Sequence, residues 1–114
     1  MKIEKTGFGW IVIDGQRYET DVLILADNRI LNRYENFTGN NHELSIEEAK
    51  KLLNPKPEVI IVGTGQGGIL KVKKETIDFL KKEKVKLIAL PTPKAIAIFN
   101  KLKEKKAALF HLTC

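Results

Sequence analysis

Val59-Ile-Ile-Val-Gly-Thr-Gly-Gln-Gly-Gly68 decides the fold. Four β-branched apolar residues run directly into a loop that holds four glycines. Val59 to Val62 shows no polar alternation, the pattern of a strand buried on both faces, as in the middle of a parallel sheet. A glycine loop at the carboxyl end of such a strand is where open α/β sheets place ligands.

Downstream, strand and helix alternate. A helix is expected over Lys74 to Glu83, with Ile77 and Leu80 inward, followed by a strand over Leu87 to Leu90. Thr92 is placed to cap the next helix, with Pro93 at its first position. That helix is expected to run to about Lys105, and Ala107 to Leu112 forms the last strand. Strands joined through single helices run parallel with right-handed crossovers.

Upstream, Ser45-Ile-Glu-Glu48 reads as a capping box that opens a helix. Asn54-Pro-Lys-Pro57 stops it, because proline cannot continue the hydrogen-bond ladder. Asn36 to Glu43 is polar and reads as a loop. In the first third, Trp10 to Ile13 meets Asp14-Gly15, a hairpin signal, and Arg17 to Glu19 returns. Val22 to Leu25 turns at Asp27-Asn28 into Ile30 to Tyr34, and Lys2 to Thr6 adds an edge strand. The expected fold is an α/β domain over residues 1–114 with a mixed sheet. Its three-stranded parallel βαβαβ part is extended by, or packed against, an N-terminal antiparallel meander.

At 114 residues the chain is expected to be one domain, burying about two-thirds of the surface its unfolded form exposes. It is 43% hydrophobic and 30% charged. Its five-residue apolar runs, Val22 to Ala26 and Ala95 to Phe99, fall short of the roughly 20 residues that span a bilayer. Met1 to Thr6 lacks the apolar stretch of a signal peptide, and the single cysteine, Cys114, excludes an internal disulfide. A cytoplasmic location is the expectation.

The net charge of +6 is uneven. Residues 1–48 hold five Lys/Arg against nine Asp/Glu, and residues 49–114 hold 15 against five. A basic half attracts phosphates or nucleic acid. Nucleic-acid binding also needs aromatic platforms on a continuous basic face. Phe79, Phe99 and Phe110 read instead as core, and the lysines that end each helix complement its dipole. Nucleic acid is therefore not the expected partner.

Gly63-Thr-Gly65-Gln-Gly-Gly68 matches the letters of the dinucleotide fingerprint but not its context. Ile69-Leu-Lys-Val72 intervenes before a helix, and the next strand ends at Leu90-Pro91 with no carboxylate for a ribose. No Gly-Lys-Ser/Thr follows, so the loop is no P-loop, and no cofactor is expected. What the letters permit is an anion pocket formed by amides of Gly63, Thr64, Gly65, Gln66, Gly67 and Gly68 with the Thr92 hydroxyl at a helix N-terminus. Lys94, or Lys71, Lys73 and Lys74, would add charge. Asn100, eight residues past Thr92, shares its helix face. The other reading is that the glycines only turn the chain.

His42, His111 and Cys114 are few and scattered, so no metal is expected. In a strand continuing through the last residues, His111 and Cys114 face opposite sides, which argues against a Cys–His nucleophile. Serine occurs only at Ser45. Ala95-Ile-Ala-Ile-Phe99 is apolar all round a helix: either it is covered on several sides, or it offers a patch to a partner.

The chain resembles the small Mth-type domain family, which includes adipogenesis-associated Mth-type proteins and a mitochondrial complex I assembly factor. The resemblance rests on Gly7-Phe-Gly9, Asp14-Gly15, Pro57-Glu-Val-Ile-Ile-Val-Gly-Thr-Gly65, Thr92, Ala95 and Phe99-Asn100-x-Leu102. It implies a three-layer β-plus-α/β fold and no secure activity. Tyr34 stands where relatives often carry Trp, and Phe99 where Tyr commonly precedes the Asn. With no mitochondrial targeting segment expected, the complex I role is not carried over. The leading expectation is a non-enzymatic protein-binding or assembly module that meets a protein partner or itself. The alternative is an enzyme or sensor for a small anionic metabolite at the glycine loop.

Overall fold

The computed structural model describes residues 1–114. Its elements in chain order are β1 (Ile3–Gly7), β2 (Trp10–Ile13), β3 (Gln16–Tyr18), β4 (Val22–Ile24), β5 (Ile30–Asn32), β6 (Glu43–Leu44), α1 (Ile46–Leu52), β7 (Val59–Thr64), β8 (Lys71–Val72), α2 (Lys74–Lys82), β9 (Lys86–Leu90), α3 (Thr92–Lys101) and β10 (Lys106–His111). The main sheet is mixed, in the order β5-β4-β10-β7-β9. Strands β10, β7 and β9 are parallel, and β4 and β5 are antiparallel. The meander thus does both things the sequence allowed. Its second half extends the main sheet, while β1-β2-β3 forms a separate antiparallel sheet.

Alternation along each strand builds two cores. Val59 and Ile61 of β7, with Ala108 and Phe110 of β10, face a cluster completed by Ile3, Ile11, Ile13, Ala95 and Phe99. Ile60 and Val62, with Ala107 and Leu109, face a second cluster completed by Ala49, Leu52 and Leu80. The result is three layers: the small sheet with α3, the main sheet, and α1 with α2. Every residue of β7 is buried, as its unbroken apolar run requires.

Four local readings are corrected. Ser45 accepts from the Glu48 amide at 3.3 Å, but the Glu48 carboxylate does not reach back; it is buried and bonded to Arg33. Helix α3 begins at Thr92 with Pro91 at the capping position, and no side chain caps it. The same helix stops at Lys101, and Lys106 belongs to β10. The Lys106 ammonium donates to the carbonyls of Phe99 and Leu102, closing the end of α3 from outside the helix. Residues 43–44 and 71–72 also pair as a short parallel ladder, β6 with β8, which two-residue segments cannot announce by pattern.

Most of the apolar turn of α3 is internal, with Ala97 exposed and Ile98 half-buried. Ala95, Ile96 and Phe99 are buried because the helix lies between the main sheet and β1. Asn100 fixes that contact, accepting from the Ile3 amide at 3.0 Å and donating to the Ile3 carbonyl at 2.8 Å. The reading of Ala95 to Phe99 as a partner patch is therefore replaced by coverage on two sides.

Candidate functional site at the carboxyl ends of the parallel strands

The ends of β7 and β10 carry the polar centre of the molecule. Phe110 pairs with Val22 and with Gly63, and His111 pairs with Thr64. Val22 pairs with Asn32, and the Arg33 amide donates to the Asp21 carbonyl at 3.0 Å. One step past these pairs, Arg33, Asp21, His111 and Thr64 form a row across four strands. Like Leu31, Leu23, Leu109 and Val62 two residues away, they point to the α1–α2 side, so the row closes the top of that core.

Arg33, Asp21 and His111 of this row are joined by side-chain hydrogen bonds that also take in Glu48 and Tyr34. Arg33 is fully buried and makes five bonds. Two go to the Glu48 carboxylate at 2.8 and 2.9 Å, one to Asp21 Oδ2 at 2.9 Å, and two to the carbonyls of Asn41 and Glu43. Asp21 Oδ2 also meets Tyr34 Oη at 2.8 Å and His111 Nδ1 at 2.6 Å, and Asp21 Oδ1 accepts from the Leu112 amide at 2.9 Å. Burial alone would raise the Asp21 carboxyl, but the bonds from His111, Leu112 and Tyr34 outweigh it and hold the pKa below the ordinary carboxylate value. Burial would likewise lower Arg33, yet Glu48 and Asp21 raise it. Tyr34 is raised by burial and by the Asp21 charge. Since an ionised carboxylate only accepts, His111 carries a proton on Nδ1, and Nε2 faces the rim of the sheet.

At that rim, residues 112–114 leave the strand and fold over the glycine loop. The Gln66 amide donates to the Thr113 carbonyl at 2.7 Å, and the Ile69 amide to the Cys114 carbonyl at 3.2 Å. The Gln66 side chain donates to Thr6 Oγ1, the Gly7 carbonyl and the Leu112 carbonyl. The β1–β2 turn, the glycine loop and the tail are thereby tied into one rim. Because β10 ends at His111, Cys114 is not held to strand alternation. Donor atoms of His42, His111 and Cys114 lie within 4.8 Å of one another, correcting the expectation that they are scattered. The His42 and His111 rings are nearly perpendicular, with centroids 5.6 Å apart.

The residues expected to form an anion pocket are brought together only in part. Gly65 and Thr92 do converge: the Gly65 amide donates to Thr92 Oγ1 at 2.9 Å, and the Thr92 amide to the Gly65 carbonyl at 3.0 Å. Thr92 Oγ1 also donates to the His111 carbonyl, so its hydroxyl is a bridge rather than a helix cap. The Gly68 amide donates to the Gly65 carbonyl. Of residues 65–69, Gly67 alone keeps its amide without an acceptor in the chain. Gly63 and Thr64 lie inside β7. Lys94 is exposed, Lys71 lies in β8, Lys73 pairs with Glu75, and Lys74 starts α2. Asn100 bonds Ile3 and has no part in the loop.

The glycines have a geometric reason. A Cβ on Gly63 would stand 2.7 Å from Phe110 Cδ1 and 2.9 Å from Thr92 Oγ1. Gly65 has a φ of +107°, and its Cβ would meet the backbone of Thr113 and Cys114 at 2.6 Å. Two depressions, of about 230 and 430 Å³, lie elsewhere: by Leu31 and Lys51, and by Ile77 and Leu87.

Residues 3–111 match a family model described as a protein of unknown function (DUF498/DUF598), and the chain belongs to that family. Among solved structures, a conserved hypothetical protein, PH1505 from Pyrococcus horikoshii OT3, superposes with a TM-score of 0.90 at 32% identity, over 100% of both chains. A structure named MT938 gives 0.83 at 28% identity, over 99% of this chain and 98% of that one. A protein described as an outer membrane protein from Bartonella henselae gives 0.77 at 20% identity, over 96% and 93%, and shares the fold. In the present chain no helix is long and apolar enough to cross a membrane.

Proposed function

We propose that this chain is a non-enzymatic protein-binding module of the Mth-type kind, and that its contact surface is the rim around the glycine loop. One observation carries the reading. Phe8 and Ile69 are 71% and 54% exposed, and both stand on segments bonded to the same tail. The Gly9 amide donates to the Leu112 carbonyl at 2.8 Å, and the Ile69 amide to that of Cys114. Scattered exposed apolar residues are ordinary. Two at one functional end of an α/β sheet, on a backbone fixed by hydrogen bonds, suit an apolar anchor for a partner. With most of the α3 segment internal, this rim carries the two most exposed large apolar side chains of the chain, available to a partner or a second copy.

The test is a photo-crosslinking residue at position 8, compared with one at Lys103, which is exposed beyond the end of α3. A discrete adduct from position 8 alone, abolished by Ile69→Ser, supports the module. A protein that sediments as a monomer at high concentration and gives equal diffuse adducts from both positions rejects it. The anionic-metabolite reading has only the Gly67 amide left among residues 65–69. A rise in melting temperature with phosphate or carboxylate compounds, lost in Gly67→Pro, would favour it instead.

A further inference from the structure

We infer that His42, His111 and Cys114 form a binding site for a borderline-soft divalent metal ion of the zinc class. Their donor atoms already lie within 4.8 Å of one another, although they come from a loop, a strand end and the tail. Two imidazole nitrogens and a thiolate are a donor set that zinc takes, at about 2.0–2.1 Å for nitrogen and 2.3 Å for sulfur. Tetrahedral geometry at those bond lengths puts donors roughly 3.3–3.7 Å apart, so the cluster must contract. His111 is fixed and fully buried, whereas His42 is partly exposed and Cys114 is exposed. The movement therefore falls to the two donors with room to turn.

The surroundings of His111 are those of a metal ligand. Asp21 holds Nδ1 at 2.6 Å, which fixes the ring and leaves Nε2 as the nitrogen turned toward the ion. A carboxylate behind a ligating histidine is the usual outer partner of zinc-bound imidazole. The backbone carrying the other two donors is anchored: the His42 carbonyl accepts from Lys71, and the Cys114 carbonyl accepts from Ile69. Three protein donors leave a fourth position for water or the Thr113 hydroxyl, which already lies 3.3 Å from Nε2.

The same residues in line, Asp21, His111 and Cys114, also suggest a cysteine nucleophile. That chemistry needs amides aimed at a developing oxyanion. The amides of Gly65, Gln66, Gly68 and Ile69 are all donated within the chain. His42, the third donor at the cluster, has no part in a nucleophile triad and an evident one at a metal.

The experiment uses the full-length, tag-free, reduced chain. Zinc is titrated in competition with a chromophoric chelator, and cobalt(II) serves as the spectroscopic probe. One equivalent of zinc is expected to bind, and the cobalt form is expected to show a sulfur-to-metal charge-transfer band with tetrahedral visible absorption. Cys114→Ser, at an exposed position, should abolish the band, and His42→Ala should weaken zinc binding at least about tenfold. Asp21→Asn should weaken it by about 10–100-fold, with folding checked by circular dichroism. Zinc binding equal in the wild type and in the His42→Ala/Cys114→Ser double variant, no zinc binding at all, or a cobalt spectrum without the sulfur band, each overturns the site. The readout is independent of any partner, so it stands apart from the crosslinking result.

Discussion

Asp21 Oδ2 lies 2.6 Å from His111 Nδ1, joining the residue just ahead of β4 to the last residue of β10. The same oxygen also accepts from Arg33 and Tyr34. One carboxylate thus couples the β4–β5 hairpin, α1 through Arg33, and the rim.

Arg33 is expected to be the most sensitive polar position. Arg33→Met leaves Asp21 and Glu48, 4% and 3% exposed, as buried carboxylates without their cation. Breaking a buried pair in this way costs about 3–5 kcal/mol. Arg33→Lys should recover little, since an ammonium has three donors and the guanidinium here makes five bonds. Urea denaturation of the three proteins measures this; a Lys variant within about 0.5 kcal/mol of wild type would contradict it.

Stability should fall in acid through Asp21. Its folded pKa lies below the ordinary carboxylate value, so the unfolded chain takes up the proton first. The contribution is fully present above the unfolded value and is lost as pH falls through the folded one. Melting temperature against pH should therefore drop less steeply through that window in Asp21→Asn than in wild type. The variant should already be destabilised near neutral pH, where it loses the charge facing Arg33.

Thr92 acts as a bridge, which gives its variants a distinct signature. Thr92→Val removes the acceptor of the Gly65 amide and the donor to the His111 carbonyl. An unsatisfied buried group costs about 1–3 kcal/mol. Thr92→Ser keeps both bonds and should retain most of the stability. If Val and Ser variants melt together, the bridge contributes nothing.

Much of the fold was legible because it rests on period and punctuation. Val59 to Val62 announced the central strand, and Asp14-Gly15 announced the hairpin. The polar row was not legible. Arg33, Asp21 and His111 each sit at one end of an apolar run, where a charged residue reads as a turn or a solvated edge. What makes them a site is strand order: β4 pairs with β10, whose residues are more than 80 positions away. The one available signal was parity. Leu31-x-Arg33, Leu23 with Asp21, and Leu109-x-His111 each place a polar residue two steps from a core residue, on the same face. The loop letters misled in the opposite direction. They describe a chain that can accept an anion, but the tail takes the Gln66 and Ile69 amides, and Thr92 and the Gly65 carbonyl take those of Gly65 and Gly68.

Gly65 tests how far that tail depends on the loop. Any side chain there meets a φ of +107° and the backbone of Thr113 and Cys114 at 2.6 Å. Backbone strain at such a position is on the order of 1–3 kcal/mol, and the clash is with main-chain atoms that cannot rotate away. Gly65→Ala is therefore expected to lift residues 113–114 off the loop. The Gln66 and Ile69 amides, now bonded to the Thr113 and Cys114 carbonyls, should then exchange hydrogen faster than in wild type. Gly67→Ala is the matched comparison. Its added carbon meets only Cys114, with the carbonyl oxygen at 2.9 Å, and its φ lies outside the left-handed range. It should lower the melting temperature less and leave the Gln66 amide protected. Equal exchange at Gln66 in both variants would mean that the tail is seated by Gly9 and Asp21 through Leu112, and not by the glycine loop.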